Sequence, residues 1–199
     1  MDAFFLVKDR AGTTLLTSSI FNNVYDNQRW NFTLSLRPKK WPFNDGVLGA
    51  SVATDGYTLQ LHGVNCDNGV AKTEFSTEEG IAYATGQSII ESSKRIYAGA
   101  HRTNYTGSLL TYADSKISSV RYWTDYLPTG SLVAQALEAD SYGRTNPSRN
   151  AYSFQTNAPN AYIPQIQTLT LDWEFTNITG STASGQFSVV DFSSGSIAG

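Results

Sequence analysis

The chain has 199 residues, a length at which all-β sandwiches and barrels still fold as one domain, and its 40% hydrophobic and 13% aromatic content excludes a disordered polymer. Only 16% of residues are charged and the formal net charge is −3, with Arg37-Pro38-Lys39-Lys40 as the strongest basic run, so no phosphate-tracking surface for nucleic acid is expected. The single cysteine, Cys66, rules out an internal disulfide and a cysteine-built metal site. No stretch approaches the ~20 apolar residues of a membrane-spanning helix, and Met1 to Arg10 lacks the long apolar region of a cleaved export signal, so no membrane partner is expected.

In chain order, Phe4 to Lys8 and Thr13 to Phe21 read as strands around the turn Asp9 to Gly12. Trp30, Phe32, Leu34 and Leu36 then alternate with Asn31, Thr33, Ser35 and Arg37, which predicts a strand with the first set in a core and the second in water. Pro38 to Gly46 is a loop holding Trp41-Pro42-Phe43. Val47 to Thr54 and Tyr57 to Val64 flank Asp55-Gly56, a pair that closes tight hairpins because both positions tolerate positive φ. Within the second strand, Tyr57, Leu59 and Leu61 point one way and Thr58, Gln60 and His62 the other. After the turn Asn65 to Gly69 come short segments, Ala71 to Phe75, Ile81 to Ala84 and Ser88 to Ile90, the last two broken by Thr85-Gly86. Arg95 to His101 and Ser108 to Ala113 are the next strands.

Lys116 to Gly143 organises the rest. Ile117, Val120, Tyr122 and Trp123 make a strand that stops at Leu127-Pro128-Thr129, and a helix follows over Thr129 to Glu138. Thr129 is the expected N-cap, and Leu132, Val133, Ala136 and Leu137 recur at the helical period that lays one apolar stripe on a core. Arg144 to Pro164 is irregular, and is expected to wrap a sheet edge or to make an intermolecular contact. Leu169, Leu171, Trp173 and Phe175 alternate with Thr168, Thr170, Asp172 and Glu174, and Gln186 to Phe192 is the last strand. Roughly ten to twelve strands with turns every ~8–12 residues, and no βαβ rhythm, predict an all-β fold. The expected organisation is one sandwich domain over residues 1–192, its core about 23–192. Strands 4–21 would be an arm or edge strands, and 193–199 a linker-like tail leading to a further region.

Three motifs carry a resemblance. Gln28-Arg29-Trp30-Asn31-Phe32-Thr33, Ile96-Tyr97-Ala98-Gly99-Ala100, and Ile117-Ser118-Ser119-Val120-Arg121-Tyr122-Trp123 with the helix after Leu127 are similar to those of the concanavalin A-like, laminin G-like jelly roll. Asn31 stands where that family usually has His. Ser141 to Arg144, Asn150 to Gln155, Leu171 to Phe175 and Asp191 to Ser196 resemble a version of this domain in structural proteins of tailed bacteriophages. The resemblance implies a jelly-roll sandwich of two antiparallel sheets with one short helix. It also implies a non-enzymatic virion component whose partners are other virion proteins or copies of itself.

The same fold hosts glycoside hydrolases, which need two carboxylates flanking the scissile bond. The family pattern E-x-D-x-x-E is absent; the nearest substitute, Asp172 and Glu174, falls on the strand face read as solvated. His62 and His101 are the only histidines, neither near a G-x-S-x-G elbow, and each reads as a surface or strand-end residue. Asp45, Asp55, Asp67 and Asp114 sit in turns, where turn formation alone explains an Asp, so neither metal nor cofactor is expected. A lectin-like alternative, with a host-surface glycan as partner, would stack a pyranose on an exposed ring; Trp41, Tyr57, Tyr105 and Tyr112 lie in or beside turns where a ring can be exposed.

Overall fold

The computed structural model describes residues 2–9, 11–22, 24, 28–39, 56–104, 107–112, 115–139, 168–181, 183 and 187–193. The predicted Trp41 loop, the strand Val47 to Thr54, the segment Arg144 to Pro164 and the tail after Ser193 lie outside these residues. All strand pairing among the described residues is antiparallel, in four sheets, with two short helices, so the all-β class is observed. The chain divides into two compact units, residues 1–92 with 126–164 and residues 93–125 with 165–199.

The first unit is built on a three-stranded sheet, β3 (Arg29–Pro38), β4 (Tyr57–Asp67) and β5 (Val70–Ile81), with β4 in the middle. The register of β3 on β4 runs without a break from Arg29 opposite Cys66 to Pro38 opposite Tyr57. Asn68 (φ 51) and Gly69 (φ 75) join β4 to β5 as a two-residue turn, the geometry that an Asn-Gly pair favours because both residues reach positive φ cheaply. On one face, Tyr57, Leu59, Leu61 and Ile81 form the main core with Leu16 from the hairpin of β1 (Leu6–Lys8) and β2 (Thr14–Thr17). Phe5, Phe21, Trp30, Phe32 and Phe75 make a ring cluster there, with centroids 4.3 Å apart for Phe5–Phe32 and Phe21–Phe75. Gly63 belongs to this cluster by default: a Cβ on it would stand 2.2 Å from the Phe75 ring, so the ring occupies the place of its side chain.

Two expectations about faces are corrected here. Gln60 and His62 were read on a wet face, yet both are buried, because β4 is flanked on both sides and its polar side chains meet those of β3 and β5. Phe32 and Leu34, read as core, are about half exposed, on a strand that is at the edge of its sheet among the described residues. The segments Ile81 to Ala84 and Ser88 to Ile90 are not two separate strands either: Ile81 ends β5, and Tyr83, Ala84 and Ser88 to Ile90 belong to one helix, α1 (Tyr83–Glu91). Thr85-Gly86 resembles a turn signal, but Gly86 sits mid-helix because the Tyr57 ring packs against it, 2.1 Å from where a Cβ would be.

The single helix expected is present as α2 (Thr129–Leu137), so the fold has two short helices where one was expected. Leu132 and Ala136 are buried, and Ala136, Val133 and Leu137 pack on Val64 and Cys66 of β4, on the sheet face opposite the ring cluster. Its start differs from expectation. Thr129 caps nothing; Pro128 is the N-cap, and its carbonyl accepts hydrogen bonds from Ser131 N (2.8 Å) and Leu132 N (3.2 Å). At the other end the Arg29 guanidinium donates to the carbonyls of Ala136 and Leu137, a cation on the negative pole of the helix.

The second unit contains the ribbon β6 (Ala100–Arg102) with β7 (Leu109–Tyr112), and the sheet β10-β9-β8, made of β8 (Ser119–Trp123), β9 (Leu169–Ser181) and β10 (Phe187–Asp191). β8 and β9 pair from Ser119 opposite Glu174 to Trp123 opposite Leu169, which sets Arg121 opposite Asp172.

Candidate functional site

The densest buried charge among the described residues is in the β8–β9–β10 sheet. Arg121 Nε donates to Asp172 Oδ1 at 2.8 Å and its NH2 group donates to Glu174 Oε1 at 3.1 Å. The Asp172 side chain is 0% exposed and Arg121 7%, so this is a buried ion pair with a second, more accessible carboxylate attached. Asp191 on β10 extends the network: its Oδ1 accepts from the backbone N–H groups of Asp172 and Ser193, both at 2.9 Å. Burial alone would raise the Asp191 carboxyl, but those donors outweigh it and hold the group below its ordinary value. Asp172 Oδ2 accepts no hydrogen bond from the described residues.

Asp172 and Glu174 are therefore not on a solvated face. The alternation of β9 was read correctly as two sets of side chains, but the polar set faces Arg121, and sequence reasoning gave Arg121 no role. Its signal was present in Val120-Arg121-Tyr122-Trp123, an arginine set among apolar residues of a strand, a place that a cation occupies only with partners. Chemically the arrangement is a clamp. A substrate has no access to Asp172, and both carboxylates share one guanidinium.

His62 is the second buried polar group, 1% exposed in the middle strand, where a surface position was expected. Its Nε2 lies 3.0 Å from Glu74 Oε1, and Nδ1 has no partner among the described residues. Beside it, Ser35 Oγ donates to Gln60 Oε1 (3.3 Å) and Gln60 Nε2 to Ser76 Oγ (2.8 Å), a ladder across all three strands. His101 is exposed and meets only the edge of the Tyr97 ring among the ring contacts described.

Of the four rings weighed for a sugar, Trp41 and Tyr105 lie outside the described residues. Tyr57 is 5% exposed and packs against Tyr83, with centroids 5.9 Å apart, so the expectation of a surface ring there is overturned by its place in the middle strand. Burial pushes its phenol pKa up, helped by Tyr83 and Glu91. Tyr112, 78% exposed on β7, is the ring that remains available. Asp67 is exposed and paired with Lys72; Asp45, Asp55 and Asp114 lie outside the described residues. Among the described residues no three His, Cys, Asp or Glu side chains are grouped to hold a metal ion.

Several large apolar side chains are left uncovered among the described residues. Every residue of β7 is exposed, including Leu109, Leu110 and Tyr112, and Phe32 and Leu34 on β3 and Phe187 and Val190 on β10 are likewise open. No family model, curated protein or solved structure matches this chain.

Proposed function

We propose that the chain is a non-enzymatic structural or decoration module of a tailed-phage virion, working through contacts with other virion proteins or copies of itself. The observation that carries this reading is the set of large apolar side chains left in water on strands, Phe32 and Leu34, Leu109 to Tyr112, and Phe187 and Val190. Large apolar side chains left in water on strands are surface that contact with another protein would bury. The motifs that resemble the laminin G-like jelly roll and its phage versions supply the particle as the setting, and a single sandwich over residues 1–192 remains the proposed finer fold. Peptide mass spectrometry of density-purified phage particles tests the reading: the chain should appear at a fixed ratio to the other particle subunits. Its absence from particles that were assembled in its presence would overturn it.

Tyr112 favours a second reading, in which the module binds a glycan. A ring that exposed offers a flat apolar face to a pyranose. Glycan-array binding lost in Tyr112→Ala would establish it, and no binding to any glycan leaves the structural reading alone.

A further inference from the structure

Tyr112 has neighbours on its ribbon that extend what it can hold. In β6 and β7 the register sets Ala100 opposite Tyr112, His101 opposite Thr111 and Arg102 opposite Leu109, and the shift between the last two pairs makes Leu110 the extra residue of a bulge. Directly opposed residues share a face, and Ala100 and Arg102 lie two apart on one strand, so Tyr112, Ala100, Arg102 and Leu109 form one patch. That patch is open. Tyr112 and Arg102 are exposed and Leu109 is half exposed, while Ala100, the residue facing the ring, has too small a side chain to cover it.

The patch is apolar on one side and cationic on the other. Arg102 donates through NH1 to Gly107 O at 3.3 Å, which holds the guanidinium against the connection between the two strands. Among the described residues its Nε and NH2 groups make no hydrogen bond and no carboxylate pairs with it. The surrounding sequence has the same sign, since Ser93 to Ala113 carries Lys94, Arg95 and Arg102 and no Asp or Glu. We propose that this patch is the glycan site and that its ligand is an acidic sugar, a hexuronate. The Tyr112 ring stacks on the C–H face of the pyranose, Leu109 continues the apolar floor, and the two unused donor groups of Arg102 grip the carboxylate side by side. A hexuronate carries its carboxylate at the ring edge, and the diagonal spacing of a strand pair, about 7–8 Å, sets Arg102 beside a sugar stacked on Tyr112. A neutral sugar would leave the guanidinium unanswered, and a bare anion would leave Tyr112 and Leu109 in water. The inference rests on the glycan reading and deepens it by naming the ligand class and a second contact, Arg102.

The full chain is tested on an array of galacturonate, glucuronate and neutral glycans, with the methyl ester of each acidic one beside it. Acidic glycans should bind, and their methyl esters about tenfold or more weakly, because esterification removes the charge and leaves the stacking face. Arg102→Gln should abolish that preference, Arg102→Lys should restore only part of it because an ammonium lacks the planar fork, and Tyr112→Ala should remove binding of both forms. Both side chains are exposed, so these variants should keep the parent's circular dichroism. If neutral glycans bind through Tyr112 and Arg102→Gln changes nothing, the glycan reading stands and the hexuronate site falls. Binding to no glycan sinks both. Acidic glycans that bind Tyr112→Ala as well as the parent, with dextran sulfate binding equally, would show charge attraction alone and would also overturn the site.

Discussion

Arg121 is almost fully buried against Asp172, and truncating it leaves a carboxylate sealed from water with no counter-charge. Arg121→Ala should therefore cost about 3–5 kcal/mol in urea unfolding, whereas replacing the pair together, Arg121→Met with Asp172→Leu, should cost much less because no lone charge is stranded. Asp191 carries a pH signature. Its folded pKa is held below the ordinary value, so the folded state binds fewer protons than the unfolded one; the resulting stability is present above the unfolded pKa of about 3.9 and is lost as pH falls through the folded value. The urea midpoint should fall more between about pH 5 and about pH 2.5 in the parent than in Asp191→Asn. An equal fall in both would show that the carboxylate does not act this way. These residues mark what was readable one position at a time. Alternation along β9 and β4 identified which side chains share a face, but Asp172 and His62 show that it did not identify whether that face meets water, since that depends on strands distant in sequence.

At the scale of elements, α2 was legible because its apolar stripe has one helical period and one packing surface, Val64 and Cys66. Its first turn was not, because Thr129 follows a proline whose carbonyl already receives the Ser131 and Leu132 N–H groups. Thr129→Ala should change stability by no more than about 0.5 kcal/mol, where a capping threonine would cost about 1. Leu132→Ala, at a side chain 2% exposed, should cost about 2–5 kcal/mol. Helix α1 escaped the reading for a related reason. Gly86 looks like punctuation in sequence, but its role is to admit the Tyr57 ring, a contact across nearly thirty residues. Gly63 has the same kind of role beneath Phe75. Gly63→Ala should destabilise by about 1–3 kcal/mol, since the added methyl displaces a ring that packs in a cluster of five; chemical unfolding measures it.

At the scale of the molecule, strand composition and turn spacing sufficed for the all-β class, but not for the order of pairing. β8 meets β9 and β4 meets α2 only after the chain has passed from one compact unit to the other, and no local pattern encodes such long-range partners. The topology also means that the segment before residue 93 does not complete its own unit. Val64 and Cys66 of β4 are covered by α2, which is made later in the chain. Cys66 reports on this directly, because it is the single thiol, is 5% exposed and touches the helix. Burial pushes its pKa up, with Arg29 acting in the opposite direction, so little of the reactive thiolate is present at neutral pH. A disulfide reagent should modify the folded chain slowly. Ala136→Arg, which forces a long cation between α2 and β4, should speed that reaction by about tenfold or more without abolishing strand content in circular dichroism. If the parent already reacts as fast as the urea-unfolded chain, α2 does not cover Cys66 in solution and the packing of that sheet face described above is wrong.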